Sequence, residues 1–493
     1  MSAIDQKDHL VEKVNVKPVN HKEDGSLYKK RTKIHPKRVN GTFRSLKWWV
    51  MIVTLGVYYI TPWIRWDRGP GAPDQAVLID FPARRFYFFF IEIWPQEIYY
   101  IAGLLIMAGI GLFFITSLFG RAWCGYACPQ TVWADLFIYV ERWVEGDRAA
   151  RIRLDNAPFG LSKAIKRTTK VVIWLVISVL TGGAWVFYYA DAPTLAIELM
   201  TMDAAPIAYM TIAVLSFTTF SLGALMREQV CIYMCPWPRI QGGMMDEDSL
   251  VVTYRKDRGE PRAPYKKGDT WEDRGDCVDC NQCVVVCPTG IDIRNGQQFE
   301  CITCALCIDA CNGVMAKVGR PSGLIGYASL AGENLRRRGE VSGVRLFRMR
   351  TFIYLLAIGV VGSVMLIALL NRTNLDISIL HDRNPLYVPL SSGHVRNGYT
   401  FKILNKSPQQ RTFMLSIDGL AGARLKVVGS EDIGESATPY FTVKPDSLHS
   451  FRLFVSAPSE ILNSNATDIR FVLKDLNSHN SAKRDTIFRG PEK

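Results

Sequence analysis

Cysteine is missing from both ends of this 493-residue chain, because all 12 cysteines lie between Cys124 and Cys311. A disulfide framework in an exported domain would place cysteines elsewhere, so this pattern predicts metal ligands or redox thiols in a reducing compartment. The sequence also lacks a Walker loop, a dinucleotide fingerprint and a Cys-x-x-Cys-His haem attachment site. We therefore expect electrons to come from a partner, a quinol or a cofactor bound elsewhere.

Charged residues make up only 21% of the chain, and they are nearly absent from five apolar stretches. Each stretch has about 20 residues, the length that crosses a hydrocarbon core as a helix. Because residues 1–45 contain no short apolar segment, we expect the first stretch to be a retained helix and not a cleaved signal peptide. The five predicted membrane spans are Leu46–Ile64, Ile98–Phe119, Val171–Ala190, Pro206–Leu225 and Thr351–Leu370.

The net charge of +13 is distributed unevenly along the chain. Lys and Arg crowd residues 1–47, 120–170 and 226–350, whereas residues 191–205 have none. This alternation follows the positive-inside rule, which places the N-terminus in the cytoplasm and residues 371–493 outside. No helix-turn-helix or aromatic-interleaved basic pattern accompanies the charge, so we expect no nucleic-acid partner.

The predicted fold class is a multi-domain membrane protein with five transmembrane α-helices, a cytoplasmic two-cluster ferredoxin-like insertion and a C-terminal all-β immunoglobulin-like sandwich. The sandwich follows from short β-rich segments separated by turn residues after the fifth span. The predicted domains are a cytoplasmic basic tail at 1–45, a four-helix membrane region at 46–225, a dicluster ferredoxin domain at 226–350, the fifth transmembrane helix at 351–370 and a periplasmic immunoglobulin-like domain at 371–493.

Two runs of the form Cys-x-x-Cys-x-x-Cys-x-x-x-Cys carry the strongest chemical signal. In such a run three cysteines bind one 4Fe–4S cluster, and the fourth reaches the other cluster. Zinc is the alternative for Cys-x-x-Cys pairs, but two intact four-cysteine runs favour iron–sulfur clusters. The predicted ligands are Cys277, Cys280, Cys283 and Cys311 for the first cluster, and Cys287, Cys301, Cys304 and Cys307 for the second.

A Cys-x-x-x-Cys-Pro motif ends each of the two membrane hairpins, which resemble a degenerate repeat. The motif cysteines are Cys124 and Cys128 in the first hairpin, and Cys231 and Cys235 in the second. We expect each pair to share one helix face, because residues at i and i+4 are neighbours there. Three interpretations stay open: thiolate ligands for Cu(I), dithiol–disulfide pairs, and small buried hydrophobes at a helix end.

Other side chains are weaker candidates. Methionines near an acidic residue in a predicted external loop suit copper, although interfacial packing explains them equally well. Carboxylates beside the second span suit a quinone or proton site or a solvated headgroup position. The two histidines of the C-terminal domain are interpreted as loop residues. These candidates are Met200, Met202, Asp203, Glu92, Glu97, His381 and His394.

Six segments together resemble the cytochrome c oxidase accessory protein family of the FixG/CcoG type, a family of membrane-bound polyferredoxins. They are WPQEIYYIAGLL, FGRAWCGYACPQTVW, CIYMCPWPRIQGGMMDEDSLVVTY, RGEPR, CPTGIDIRNG and FECITCALCIDAC. The resemblance implies a bacterial inner-membrane protein that matures cbb-type cytochrome oxidases by reducing Cu(II) to Cu(I). It also implies that the eight ferredoxin cysteines hold clusters, and that Cys124, Cys128, Cys231 and Cys235 are candidates for copper handling.

The leading hypothesis is therefore a cupric reductase with two 4Fe–4S clusters and copper as substrate. Its expected partners are the oxidase or its copper-delivery proteins, together with an unidentified electron donor. One alternative is a quinol-linked electron-transfer subunit of a respiratory pathway. The other is a non-catalytic scaffold for oxidase assembly, in which the clusters are structural.

Overall fold

In the computed structural model, residues 33–491 are described together with positions 14 and 16. The exceptions are 70–71, 267, 341–344, 373–374, 407–408, 430–435, 446, 463 and 477–479. Within this range the chain forms two compact units. The first comprises residues up to Arg65 and from Gln75 to Met365, and the second comprises Trp66–Asp74 and Leu366–Lys493. The predicted domain boundaries themselves stay predictions.

The first unit is mainly helical. Its α-helices are α1 Thr42–Ile60, α2 Tyr99–Phe119, α3 Ala122–Tyr126, α4 Pro129–Glu145, α5 Arg148–Asn156, α6 Leu161–Val186, α7 Ala192–Thr201, α8 Pro206–Thr219, α9 Trp237–Met244, α10 Lys256–Gly259, α11 Gln282–Val285, α12 Leu306–Lys317 and α13 Leu330–Arg337, and α14 Met349–Leu370 runs from it into the second unit. The 3₁₀ turns of this unit are Thr61–Trp63, Pro95–Glu97 and Ile293–Asn295.

Four helical segments of the described residues are long and apolar enough to cross a membrane, which makes this a membrane protein. They are Pro95–Phe119, Leu161–Val186, Pro206–Met226 and Met349–Leu370. The first predicted span is the 19-residue helix α1, which lies outside this group. Its first turns bury Arg44 and Lys47, and Arg44 forms an ion pair of 2.8 Å with Asp135. The count of five spans therefore stays a prediction.

The fourth span does not end as a regular α-helix. It widens into a π-helical segment, Phe220–Met226, and a second π-helical segment follows at Val230–Met234. Between them Arg227 takes a left-handed conformation with φ 41°. Isolated π-turns of this kind are frequent at functional sites. The first cysteine motif therefore follows regular α-helix, whereas the second follows π-helical turns, although the two sequences resemble a repeat.

Small antiparallel sheets complete the first unit. Strands β1 Val77–Asp80, β2 Arg85–Phe88 and β3 Ile91–Ile93 form one, and β4 Val251–Tyr254 pairs with β5 Ile325–Ala328 in the other. In the second sheet Val252 lies opposite Tyr327, and Tyr254 lies opposite Ile325. These apolar strands cover the ferredoxin loops, because Val252, Tyr254 and Ile325 pack in one group of buried side chains with Cys277 and Cys283.

The second unit is a two-sheet β-sandwich, as the alternating segments predict. Its strands are β6 Leu375–His381, β7 Val388–Pro389, β8 His394–Asn405, β9 Arg411–Asp418, β10 Arg424–Val427, β11 Tyr440–Val443, β12 Ser447–Pro458, β13 Ala466–Asp475 and β14 Ser481–Arg489, with a 3₁₀ turn at Ser459–Ile461. One sheet has the order β10-β12-β8-β6, with β7 on β8, and the other has the order β11-β9-β13-β14. Inward-facing residues such as Phe401, Phe413 and Phe471 are almost fully buried between the sheets.

Candidate functional site

The two ferredoxin loops have the same backbone conformation. Asp279 and Asn281 are left-handed in the first loop, with φ 46° and 60°. The equivalent residues of the second loop, Thr303 and Ala305, are also left-handed, with φ 56° and 60°. Non-glycine residues seldom adopt this conformation, and such strain concentrates at functional sites. Each loop leads into a helix, α11 or α12, so the repeated spacing corresponds to a repeated turn.

The fourth cysteine of each run lies beside the other run. The pKa of the Cys311 thiol is raised to about 12, mainly by burial and in part by the charges of Cys280 and Cys277. Burial also raises the pKa of the Cys301 thiol to about 12, and Cys287 adds to that shift. Cys287 lines one cavity together with Cys301, Cys304 and Cys307, and Cys311 packs against the buried apolar cluster that contains Cys277 and Cys283. These positions are compatible with the crossed ligand assignment, which itself stays a prediction.

The thiols around the second loop suit an iron–sulfur cluster better than a single ion. A cavity of about 360 Å³ is lined by Cys283, Cys287, Cys301, Cys304 and Cys307 together with apolar side chains. No three His, Cys, Asp or Glu side chains among the described residues converge tightly enough to ligate one metal ion. A cubane binds each thiolate at a different iron atom, so it requires more widely spaced sulfurs than one ion does.

Proline interrupts the helix within each Cys-x-x-x-Cys-Pro motif. Helix α3 ends at Tyr126, and Pro129 begins helix α4. Cys128 and Cys235, the residues before the prolines, have extended ψ angles of 128° and 122°. A residue before proline avoids the helical region because the proline ring crowds its backbone. The expectation that each pair shares one helix face is therefore wrong.

One cysteine of each motif nevertheless packs in the same place, because Cys231 contacts the buried apolar cluster that contains Cys124. The pKa of the Cys124 thiol is raised to about 12, mainly by burial and in part by the charges of Cys128, Cys231 and Cys235. The Cys124 Sγ donates a hydrogen bond of 3.0 Å to Oε1 of Gln241, which is fully buried. Cys124 is also buried, whereas Cys235 is exposed. The quartet of motif cysteines thus has a buried member and an exposed member.

The quartet contacts the second ferredoxin loop directly. Cys124 belongs to one buried cluster with Cys304, and Cys231 and Cys307 pack against that cluster. A Cβ atom on Gly125 would lie 3.0 Å from the Cα of Cys304, so glycine permits this close approach. Cys124 and Cys231 of the two motifs therefore pack with Cys304 and Cys307 of the second ferredoxin loop.

Polar side chains that the sequence reasoning missed hold the two motifs together. Gln130 donates hydrogen bonds of 2.8 Å and 3.1 Å to the carbonyl oxygens of Leu222 and Arg227. Arg227 in turn donates to Glu141 at 2.9 Å. Their positions near the motif cysteines and at the ends of apolar segments were the signal that could have identified them.

The weaker candidates lie apart from the cysteines in sequence and local structure. Met200 is in helix α7 and Met202 follows it, and both side chains are exposed. Glu97 is buried and accepts a hydrogen bond from the backbone N–H of Trp94, so a solvated headgroup position is wrong for it.

The two histidines of the second unit are strand residues, which makes their interpretation as loop residues wrong. His381 ends β6 and hydrogen-bonds Asn397 at 2.7 Å, whereas His394 begins β8.

Comparisons with known proteins cover most of the chain. A 4Fe–4S dicluster domain model matches residues 226–330, a 4Fe–4S binding domain model matches 101–146, and a model of the IG-like fold at the C-terminal of FixG matches 365–491. The nitrogen fixation protein FixG of Rhizobium meliloti strain 1021 is 53% identical over 92% of each chain. The protein RdxB of Cereibacter sphaeroides is 52% identical over 95% of this chain and 98% of its own length.

A crystal structure of a FixG-related protein from Vibrio parahaemolyticus also matches. It is 24% identical, with a TM-score of 0.21, and it covers 24% of this chain and 97% of that protein.

Proposed function

Because the chain belongs to the FixG family and is an iron–sulfur electron-transfer protein of the membrane, we propose that it reduces Cu(II) to Cu(I) for assembly of a cbb-type cytochrome oxidase. The oxidase and the copper are what the family resemblance implies. The proposed partners are the oxidase or its copper-delivery proteins. The proposed location is a bacterial inner membrane, with the N-terminus and clusters cytoplasmic and the C-terminal sandwich periplasmic.

The ferredoxin cysteines are proposed as the ligands of two 4Fe–4S clusters, in the crossed sets given above. When bound, each cluster supplies one-electron redox chemistry, with a potential that its surroundings adjust. Backbone N–H groups of this chain already point at the thiols: those of Gln282, Thr303 and Leu306 lower the pKa values of Cys280, Cys301 and Cys304, in that order, against the larger raising effect of burial. Such hydrogen bonds to sulfur favour the negatively charged form of each ligand.

One observation carries the copper proposal: the motif thiols pack against the second ferredoxin loop. Cys124 and Cys231 pack in the group of buried apolar side chains that contains Cys304, while Cys235 is exposed. Thiolates bind Cu(I) better than most protein ligands do, so the quartet favours the reduced ion once it forms. A Cu(II) ion that reaches the exposed Cys235 needs one electron to become Cu(I). The second ferredoxin loop, which would supply that electron, packs against Cys124 and Cys231 of the same motifs.

The test uses the anaerobic protein with dithionite-reduced clusters and excess reductant removed. After Cu(II) is added, cluster reoxidation is followed by absorbance while a chelator traps Cu(I). We expect one trapped Cu(I) for each electron lost, and a loss of at least tenfold in rate for Cys124→Ala and Cys231→Ala with clusters intact. Phe159→Ala is the control, since its side chain is 88% exposed and lies outside the cysteine motifs, and its rate should be unchanged.

Clusters that stay reduced after copper is added would refute copper as the direct acceptor. Unchanged rates in both cysteine variants would instead refute the role of the motif thiols.

A further inference from the structure

A cavity lies where helix α2 ends, between the start of α3, the end of α9, strand β4 and the second ferredoxin loop. Its volume is about 260 Å³, just below the usual range for small-molecule sites, which is enough for a single ring and not for a large ligand. Its apolar wall includes Met245, Val251 and Phe299, and its polar wall includes Arg121 and Gln297. No function assigned above uses this space.

The floor of the cavity belongs to the second ferredoxin loop. Cys301 and Thr303 line it, and the backbone N–H of Thr303 hydrogen-bonds the Cys301 thiol. A molecule bound here would contact a proposed cluster ligand directly. Such contact suits electron exchange, because the donor and the ligand sulfur would have no intervening residue.

Arg121 gives the cavity a buried cation, and within the described part of the chain it hydrogen-bonds carbonyl oxygens and no carboxylate. Its side chain is 4% exposed in the structure. It donates to the carbonyl oxygens of Phe299, of Cys301 at 3.2 Å, and of Pro238 at 2.7 Å. Its Nε is buried and has no hydrogen-bond acceptor among the described residues. A buried donor of this kind is costly unless an acceptor reaches it, so a ligand oxygen would be stabilised here.

The position of the cavity favours a ligand that arrives from the bilayer. The apolar segment Pro95–Phe119 ends two residues before Arg121, so the cavity lies at the level where a membrane span meets water. Phe299 is 69% exposed at the rim, where its ring can contact an apolar ligand. Apolar walls, amide groups and one cation suit a flat ring that carries oxygen atoms.

We infer that this cavity binds the headgroup of a membrane quinol, which donates electrons to the second ferredoxin loop. The quinol loses two electrons and two protons and becomes the quinone. The 4Fe–4S clusters that the ferredoxin cysteines would hold would accept the two electrons one at a time, and the protons would pass to water at the rim beside Gln297, which is exposed. The inference rests on the iron–sulfur part of the proposed function, and not on copper as acceptor.

The experiment measures binding of decylubiquinone to the full-length protein in detergent, and cluster bleaching by decylubiquinol without copper. Gly242→Val should fill the cavity, since a Cβ there would lie 3.1 Å from the Phe299 ring and 3.7 Å from Arg121. Phe299→Ala should remove one wall without touching the buried core. We expect each variant to weaken binding at least tenfold and to slow quinol-driven bleaching equally, with dithionite reduction unchanged.

Phe159→Ala is the matched control, because this phenylalanine is 88% exposed and lies outside the cavity lining. Absent binding to the unaltered protein, or unchanged binding in both cavity variants, would overturn the inference. Reduction by a soluble electron donor but by no quinol would overturn it too. If quinol fails while dithionite-reduced protein still reduces Cu(II), only this inference falls; if quinol succeeds and Cu(II) is not reduced, only the copper proposal falls.

Discussion

Glu141 is the side chain whose removal should most weaken the alignment of the two cysteine motifs. It is 1% exposed, and it accepts from Arg151 and Arg227, each at 2.9 Å. Arg227 also anchors the backbone four residues before Cys231, so this ion network joins the first hairpin to the second. Replacing Glu141 with Gln keeps the shape of the side chain and removes its charge.

The magnitude follows from the pKa of Glu141. Burial alone would raise this pKa, but the positive charges of Arg227, Arg151 and Lys170 outweigh burial and lower it from 4.5 to about 2. At about 1.4 kcal/mol per pKa unit, the folded state gains about 3 kcal/mol from the ionised carboxylate. Breaking a buried ion pair by removing one partner costs a similar amount, roughly 3–5 kcal/mol.

The assay is denaturant unfolding of the detergent-solubilised protein, followed by tryptophan fluorescence at pH 7. Glu141→Gln should lower the free energy of unfolding by about 3 kcal/mol. Glu333→Gln is the control, because Glu333 pairs at 3.2 Å with Arg337, whose side chain is 53% exposed, and such pairs contribute about 0.5 kcal/mol or less. Equal losses in the two variants would refute the reasoning.

The pH dependence gives a second readout of the same carboxylate. A pKa that is lower in the folded state adds stability that is complete above the unfolded pKa and is lost as the pH falls through the folded value. The difference between the unaltered protein and Glu141→Gln should therefore shrink between about pH 4.5 and pH 2. A difference that stays constant across this window would contradict the assigned shift.

Three further predictions concern other parts of the chain. Arg294→Met should release the first cluster and lower iron content by about half, because Arg294 donates to Asp279 and Asn281 of the first loop at 2.8 Å and 2.7 Å; full iron content would contradict this. Maleimide at pH 7 should label exposed Cys235 well before Cys124, whose thiol has a pKa raised by burial to about 12, and peptide mass spectrometry measures the order. Phe471→Ala should destabilise the β-sandwich by about 3–5 kcal/mol, whereas Tyr440→Ala, at a position 53% exposed, should change its unfolding free energy by about 0.5 kcal/mol or less.

The parts that could be predicted from the sequence are those with a strict local period. The strand segments of the β-sandwich alternate apolar and polar residues, and β8 and β12 follow that alternation through Tyr399–Leu453 and Phe401–Phe451 pairs. Four of the five predicted apolar runs lie in helices suitable for a membrane, because each helix has a long stretch with few charged residues. Strand alternation and apolar runs both depend only on residues that are close together in the sequence.

What could not be predicted depends on contacts between distant segments. Cys124 and Cys128 sit at i and i+4, yet Pro129 ends the helix between them, and the pairing that matters is with the second hairpin. Helix α1 has an apolar sequence, but Arg44 binds Asp135 across 91 positions of the chain. Arg121 looks like an ordinary basic residue after a span until the fold buries it beside the second loop.

The two proposed sites contact different cysteines of the same ferredoxin loop, and we therefore expect different tasks for the two cysteine sets. The cavity is lined by Cys301, and the motif thiols pack with Cys304 and Cys307, whereas Cys277 and Cys280 are not among the described residues that line the cavity. A quinol delivers two electrons, but each copper ion accepts only one. The protein must therefore store the second electron until another copper ion arrives. We expect the first set to provide that reserve. A first-set variant such as Cys280→Ala that keeps its second cluster should then still reduce copper with dithionite, while each protein molecule should take one electron from quinol instead of two.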